Sequence, residues 1–348
     1  MVNPRKIFIF CVTGIGNIIL FLPAYKALKS KYPGASITLA LDLQLYDDAF
    51  IKDQFGSDIQ VVKFPHRFKN FFNLLKIIKR LRKEKFDLAI MPYCGPSWKL
   101  NLFLLLVGAD RTAYFRSGID LIDRKIDVCL PVIEGEHYLN RNLDLVKSLG
   151  ASVGFHDGAW IALQDKEEQH NHLKRNDTII IGLHPSVNEE FNNSRRWPAD
   201  YFRELINLSS ELDKKVYIVI FGTSCEKKLI DEICDDKKNC IKIINKSLVY
   251  VSRYILRCDL FIGNDSGIMN LSVGLGIPTL GILGPTNPKH TGPYGSKHRI
   301  ARLNLPCSPC FDKGYSLKCK HRRCLIDLTP NIVWSIAKDM LIKENIMS

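Results

Sequence analysis

A chain of 348 residues, 46% of them hydrophobic, is long enough to bury more than one core, so two domains are expected. Lys and Arg outnumber Asp and Glu by 49 to 36, and the formal charge of +13 draws anionic partners such as nucleic acid, acidic lipid or phosphorylated substrates. No window approaches the roughly 20 consecutive apolar residues that span a bilayer. There is also no basic low-complexity tail, zinc-finger spacing or aromatic RNA-binding signature to favour nucleic acid.

The N-terminus runs from Met1-Val2-Asn3-Pro4-Arg5-Lys6 directly into an apolar stretch at 7–12. No small-residue cleavage site follows it, so a signal peptide is not expected and a cytoplasmic location is. The stretch reads as a buried strand, followed by the Gly14-Ile15-Gly16 turn and a helix from about 17 to 31. That turn lacks the third glycine of the dinucleotide fingerprint and suits a tight strand–helix turn as well as a ligand loop. Strands are expected at 37–41 and 59–64.

A basic amphipathic helix is expected within 63–85. Phe68, Phe71, Phe72, Leu75 and Ile78 share one face, and Lys69, Lys76, Arg80 and Lys83 share another. The pattern fits a helix packed on a core with a solvated basic face, and it fits docking on an anionic surface. A strand at 88–92, a helix through 102–107, a strand near 112–115 and a helix at 137–149 ending at Gly150 complete the first half. Alternating strands and helices imply a parallel sheet covered on both faces.

Composition turns polar between 151 and 177, with Gln164-Asp165-Lys166-Glu167-Glu168 at its centre. The expected division is a first domain at 1–160, a second at 177–330 and a C-terminal helical segment at 331–348, opened by Pro330. Strands of the second domain are expected near 178–183, 215–221, 240–244, 259–263 and 279–283. Two open sheets joined by a linker predict a cleft between them.

Polar chemistry gathers at the strand ends of the second half. His184-Pro185-Ser186 follows a strand, and Ser194-Arg195-Arg196-Trp197 precedes a helix opened by Pro198. Arginine beside a positive helix terminus is unfavourable unless an anion sits there, the alternative being two solvated side chains. Leu260-Phe261-Ile262 ends in Gly263-Asn264-Asp265-Ser266-Gly267, a small-residue helix runs to Gly276, and a second apolar run ends in Gly284-Pro285-Thr286. This unit puts Asp265, Ser266 and the turn N–H groups at the carboxyl edge of a parallel sheet, against a helix N-terminus that favours phosphate. An ordinary crossover with a polar turn is the competing reading.

Of eleven cysteines, Cys11, Cys94, Cys129, Cys225, Cys234, Cys240 and Cys258 are scattered, most of them in apolar runs, and read as small core residues of a reduced protein. Cys307, Cys310, Cys319 and Cys324 cluster in a Lys/Arg-rich loop that suits a tetrahedral thiolate site for zinc or iron, with plain disulfides the alternative. Four thiolates leave no open coordination position, so such a metal would be a structural staple.

Taken together, these segments resemble glycosyltransferase family 9, the bacterial ADP-heptose:lipopolysaccharide heptosyltransferases and their relatives. The resemblance rests on Gly14 to Ala24, His184-Pro185-Ser186 with Arg195-Arg196-Trp197-Pro198, Asn264-Asp265-Ser266-Gly267 with Gly276-Ile277-Pro278, and Gly284-Pro285-Thr286. The four-cysteine loop is similar to one found in a subset of these proteins. The resemblance implies a GT-B fold: two Rossmann-like domains facing a cleft, acceptor in the first and nucleotide sugar in the second. It also implies inverting transfer with no catalytic metal or cofactor. Ser186 and Arg195 would meet the donor phosphates, Asp265, Ser266 and Gly267 the donor sugar and diphosphate, and Arg196, Gly284 and Thr286 complete the expected donor set. The implied donor is an ADP-heptose-like nucleotide sugar. The implied acceptor is lipopolysaccharide core or a related anionic glycolipid, met by peripheral contact at the inner membrane, with residues 69–85 helping to dock it.

Two positions depart from the family pattern. Asn17 stands where an aspartate is usual, and a carboxamide orients a hydroxyl but does not accept its proton. Asn270 replaces a histidine. Asn17 and Asp265 are the expected catalytic positions, with Asp42, His66 and His184 as alternative bases by strand-end placement. Two further readings stand beside heptose transfer: another nucleotide sugar on the same scaffold, and an inert homologue that binds a nucleotide sugar or a partner protein.

Overall fold

A computed structural model of the chain describes residues 3–42, 48–64, 71–154, 158–163, 178–186, 194–234, 239–310, 319 and 321–347. The expectations placed on His66, Phe68, Lys69 and the polar stretch 164–177 lie outside these residues, as do the side chains of Phe71 and Phe72. The chain divides into two compact units, Met1–His156 and Asp157–Ser348.

The first unit runs β1 (Lys6–Cys11), α1 (Ile15–Lys31), β2 (Ser36–Leu41), α2 (Asp48–Phe55), β3 (Gln60–Lys63), α3 (Phe71–Lys83) and β4 (Leu88–Ile90). It continues α4 (Trp98–Val107), β5 (Arg111–Phe115), α5 (Asp120–Asp123), β6 (Val128–Leu130) and α6 (Tyr138–Ser148). Its six strands pair in parallel in the order β3-β2-β1-β4-β5-β6. β1 and β2 bury every residue after their first, the continuous apolar run expected of strands covered on both faces. The order steps one way from β1 to β3 and the other way from β4 to β6. Right-handed crossovers therefore put α1 and α2 on one face and α3, α4 and α5 on the other. The packing agrees: α1 contacts α2 and α6, while α4 contacts α3 and α5.

The second unit runs β7 (Thr178–His184), α7 (Ala199–Ser209), β8 (Lys215–Gly222), α8 (Lys227–Ile233), β9 (Cys240–Ile244), α9 (Leu248–Ile255) and β10 (Leu260–Asn264). It continues α10 (Gly267–Gly274), β11 (Thr279–Ile282), α11 (Pro288–Thr291), β12 (Arg299–Ala301), α12 (Arg323–Ile326) and α13 (Pro330–Lys343). Its six parallel strands are ordered β12-β11-β10-β7-β8-β9. The core is built from Ile179, Ile181 and Leu183 of β7, Ile218 and Ile220 of β8, Leu260 and Ile262 of β10, and the buried Trp197 and Phe202.

Several expectations shift. α1 begins at Ile15, with Gly14 as its cap, so Asn17 lies inside the first turn. The boundary falls at residue 156: Trp160 and Ile161 belong to the second unit, where both donate backbone N–H bonds to the Gly274 carbonyl at 2.8 Å. The C-terminal helix is not a separate segment. α13 sends Val333, Trp334, Ala337 and Leu341 into the second core. Cys234 and Cys240, expected as reduced core thiols, form a disulfide. Among the described residues no helix is long and apolar enough to cross a membrane.

Candidate functional site

In both sheets the strand order reverses at one point, between β1 and β4 in the first and between β7 and β10 in the second. Open α/β sheets bind ligands outside the carboxyl ends of strands at such a point. In the second unit the two loops that leave it are His184-Pro185-Ser186 and Asn264-Asp265-Ser266, the segments singled out from sequence.

Asn264 holds these loops together. It is fully buried; its Nδ2 donates to the Pro185 carbonyl at 2.8 Å and its Oδ1 accepts from the Trp197 N–H at 3.0 Å. Trp197 is itself sealed in the core and donates Nε1 to the Leu328 carbonyl at 2.8 Å. The arginines that precede it are thereby drawn to the strand ends. Arg195 Nη1 lies 3.2 Å from Oδ2 of Asp265, and Arg196 Nη2 donates to Oγ of the buried Ser186 at 3.2 Å. Ser266 caps α10, accepting from the Met269 N–H at 3.3 Å, and Gly267 is the helix's first residue. Uncapped N–H groups of a first turn attract anions, and two guanidinium groups stand among these loops.

His184 and Glu226 extend the network. His184 Nδ1 is 3.1 Å from Oγ of Ser266. Burial, reinforced by the Arg196 charge, holds the imidazole below its usual pKa against the opposing pull of Glu226, so it stays neutral. The Glu226 carboxyl is kept below its usual range against its own burial by hydrogen bonds from Ser186 and Thr223. Glu226 accepts from the N–H and the hydroxyl of Thr223 at 2.6 and 3.0 Å. Neither Asn264 nor Glu226 was among the expected site residues. The readable signal for Glu226 was the Thr223-to-Glu226 capping-box spacing.

Several polar atoms in these loops are buried without a hydrogen-bond partner among the described residues: Oγ of Ser194, Nε of Arg196, Oδ1 of Asn270 and Oγ1 of Thr286. Such groups cost free energy unless something satisfies them. Gly284 also carries a packing constraint. A Cβ there would lie 2.7 Å from Leu325 and 3.0 Å from Cys324 Sγ, so the glycine is required for close packing against the cysteine loop. That loop is stitched to the end of β11: Ser308 Oγ donates to the Gly284 carbonyl at 2.6 Å and the Cys310 N–H to the Pro285 carbonyl at 2.8 Å. Arg322 reaches back from it, with Nη1 3.4 Å from the Arg196 carbonyl.

The thiols of Cys307, Cys310 and Cys319 lie close enough to Cys324 that their charges, added to its burial, push its pKa up to about 11. The N–H of Arg322 points at Cys319 Sγ, 3.4 Å away. Among the described residues no three of the His, Cys, Asp and Glu side chains are arranged to hold a metal ion.

In the first unit, Asn17 donates Nδ2 to Oγ1 of Thr13 at 2.7 Å, at the carboxyl end of β1. Cys94, past the end of β4, bonds the same Thr13 side chain and lies 3.8 Å from the Tyr114 hydroxyl, its thiol raised in pKa by burial. Asp42 is buried just past β2; the Leu41–Cys11 register puts it beside Val12 on the same edge.

Sequence and structure comparisons agree on the relationship. The chain is 30% identical to lipooligosaccharide heptosyltransferase 2 of Campylobacter jejuni over 348 residues, covering 97% of this chain and 98% of that one. Its fold is similar to that of E. coli ADP-heptose lps heptosyltransferase II, with a TM-score of 0.72 at 20% identity, covering 98% of this chain and 99% of the other. It is also similar, more distantly, to the iron-containing dodecameric glycosyltransferase TibC from enterotoxigenic E. coli, with a TM-score of 0.56 at 10% identity over 99% and 77% of the two chains. Residues 74–321 match the model of Glycosyltransferase family 9 (heptosyltransferase), and the chain belongs to that family.

Proposed function

We propose that this protein transfers heptose, with inversion, from ADP-heptose to lipopolysaccharide core or a closely related anionic surface glycan. The observation that carries the reading is the ring of anion-directed groups at the strand-order reversal of the second unit: Ser186, Arg195, Arg196 and the Ser266-capped start of α10. The names of its relatives supply the sugar.

In the reaction the acceptor hydroxyl oxygen bonds to the heptose anomeric carbon as the bond from that carbon to the diphosphate oxygen breaks. ADP departs with the bonding pair, and the hydroxyl proton passes to a base. Arg195, Arg196 and the N–H groups of α10 stabilise the charge that builds on the diphosphate, which in a partly desolvated site is a large contribution. Asp265 fixes Arg195 and meets the donor sugar. At the first unit's edge Asn17 orients the hydroxyl and Asp42 takes its proton. The exposed Lys76, Arg80 and Lys83 of α3 face the anionic acceptor at the membrane surface.

Cys307, Cys310, Cys319 and Cys324 would hold a structural zinc or iron once the loop draws them together, since no three of them are arranged around an ion position as they stand. Their mutual influence on the Cys324 thiol and the backbone N–H aimed at Cys319 fit a thiolate set. The ion would pin the loop to the end of β11.

The test is incubation of the purified chain with ADP-heptose and heptose-deficient lipopolysaccharide, with the product read by mass spectrometry and ADP release followed in parallel. An added heptose and one ADP per turn are expected. Binding of ADP-heptose with neither product nor ADP would show an inert homologue, and transfer from a different nucleotide sugar would reassign the donor.

A further inference from the structure

We infer that α4 is a membrane-insertion ridge: Trp98, Leu102 and Leu106 enter the interface of an anionic bilayer while cations of the neighbouring helices bind its head groups. The inference deepens the proposal that the acceptor is lipid-anchored, but it rests on its own observations.

α4 reads Trp98-Lys99-Leu100-Asn101-Leu102-Phe103-Leu104-Leu105-Leu106-Val107, apolar almost all round. A helix of this composition is normally buried on every side. Here only the side bearing Asn101, Phe103, Leu104 and Val107 is buried, with Leu100 and Leu105 partly so. Trp98, Leu102 and Leu106 are 42%, 37% and 39% exposed. Their four-residue spacing aligns them in one stripe along the helix. The polarity of the helix is thus inverted. Its one asparagine points inward, with Nδ2 donating to the Phe115 carbonyl at 3.1 Å and to Asp123 Oδ1 at 3.0 Å, while tryptophan and leucine face out. Nothing in the core requires an apolar outer stripe, since the covered face already closes the sheet.

The surroundings define what the stripe would meet. α3 packs beside α4 and carries Lys76, Lys79, Arg80, Arg82 and Lys83 with no acidic residue, all of them exposed, together with an exposed Leu75. On the other flank α5 presents Leu121, 75% exposed, next to Ile119, Arg124 and Lys125. Lys99 Nζ sits 5.8 Å from the centre of the Trp98 ring. Two exposed acids at the margin are paired, Asp120 with Arg124 at 3.9 Å and Glu84 with Lys6 at 3.7 Å, while Asp110 lies exposed just past the end of α4. Because α3, α4 and α5 lie on one face of the sheet, these groups form one surface: an apolar ridge with a tryptophan, bordered by cations.

That arrangement matches the anionic membrane interface, where tryptophan sits at head-group level, leucine enters the acyl boundary, and Lys and Arg meet lipid phosphates. It does not suit a second copy of this chain. A two-fold contact would set the α3 cations of one copy against those of the other.

The test uses the full chain and vesicles of phosphatidylcholine with or without phosphatidylglycerol. Of the four tryptophans, Trp160, Trp197 and Trp334 are buried, so Trp98 reports on the lipid by itself. Flotation with the phosphatidylglycerol vesicles is expected, with quenching of tryptophan emission by brominated lipid. Trp98→Phe should abolish the quenching while keeping the protein on the vesicles. Leu102→Asp combined with Leu106→Asp should weaken partitioning by about tenfold or more. Lys79→Glu with Arg80→Glu should remove the preference for anionic lipid. Thermal unfolding of each variant checks that it folds, and the quenching of the unaltered chain needs no variant. The inference is overturned if brominated lipid leaves the emission unchanged, if the double leucine variant floats like the parent, or if the parent is a dimer that this variant dissolves without any vesicle binding. None of these readouts involves heptose transfer. Loss of the transfer activity with vesicle binding intact would reject only the proposed reaction, and the reverse result only the ridge.

Discussion

Arg195 and Asp265 come from loops seventy positions apart in sequence and form an ion pair with both side chains largely withdrawn from water, 14% and 5% exposed. Such a pair has to offset a large desolvation cost, so removing one partner leaves an uncompensated charge. Asp265→Ala should therefore cost about 3–5 kcal/mol of stability. It should also reduce kcat by roughly two orders of magnitude or more through misplacement of the cation proposed to meet the diphosphate. Arg195→Ala should lower kcat comparably. In the double variant the stability losses should be well short of additive, because the second change removes a charge the first has stranded. Denaturant titration together with steady-state kinetics reads both effects. Wild-type turnover in either single variant would show that the pair is not part of the site.

Asn17 tests the assignment of the proton acceptor. Its amide bonds Thr13 and offers no basic lone pair near neutral pH. If Asp42 takes the proton, Asp42→Asn should lower kcat by roughly 100-fold or more, in the range of a lost general base. Asn17→Asp places a carboxylate in the first turn of α1, should keep or raise activity alone, and should restore much of it in the Asp42→Asn background. A pH–rate profile checks the identity of the base: the acidic limb should move when the carboxylate moves. Full activity in Asp42→Asn would remove that residue from the mechanism.

Asn264 is predicted to matter more for loop geometry than for ligand contact. It is the common partner of the Pro185 carbonyl and the Trp197 N–H, at 2.8 and 3.0 Å. Asn264→Ala strands both buried backbone groups, at about 1–3 kcal/mol each. The donor KM should rise along with the loss of stability, because Ser186 and the two arginines are held through those same segments. Asn264→Asp keeps the acceptor for Trp197 but puts a charge opposite a carbonyl, and should be no better. Unchanged unfolding of Asn264→Ala would contradict this.

Much of the site was legible because its elements obey local rules. The apolar runs of β7 and β10 end abruptly in polar residues, Ser266 has the chemistry of a helix cap, and Pro198 precedes a helix directly. What sequence could not supply was pairing across distance. Nothing local says that Arg195 meets Asp265, that Asn264 binds two loops, or that Gly284 is small because Leu325 and Cys324 press on it. Short edge elements were missed for a related reason. β6 and β12 have three residues each, and β6 is only half-buried, too little to produce a hydrophobic period. The apolar outer stripe of α4 was hidden within a run that reads, without the fold, as simply buried.

His184 gives the second unit a pH dependence whose sign follows from its surroundings. Burial lowers the folded imidazole's pKa, whereas the unfolded side chain titrates near about 6.5. As pH falls through that value the unfolded chain takes up a proton that the folded one refuses, so stability declines until the folded group itself titrates. Glu226 stays ionised across this window because its own pKa is lowered. His184→Asn should therefore flatten the fall in stability between about pH 7 and 5.5. Chemical denaturation at several pH values measures the slope, and an equal slope in parent and variant would assign the titration elsewhere.

The cysteine loop offers the last prediction, because its chemistry and its attachment to the site are separable. Thiols bind metal as thiolates, and burial with the neighbouring thiols pushes the Cys324 pKa up to about 11, so metal binding should release protons and affinity should fall as pH drops. Protein purified under reducing conditions should contain about one zinc or iron per chain, and Cys307→Ser or Cys319→Ser should lose it. The loop is fastened to the Gly284 and Pro285 carbonyls, and Arg322 reaches the Arg196 carbonyl. Removing the metal should therefore lower Tm and raise the donor KM while changing kcat much less. Metal analysis of the parent, a proton-release titration on reloading, and kinetics of the stripped chain read these three consequences. A metal-free parent with normal stability would leave the four thiols as reduced side chains packed against β11.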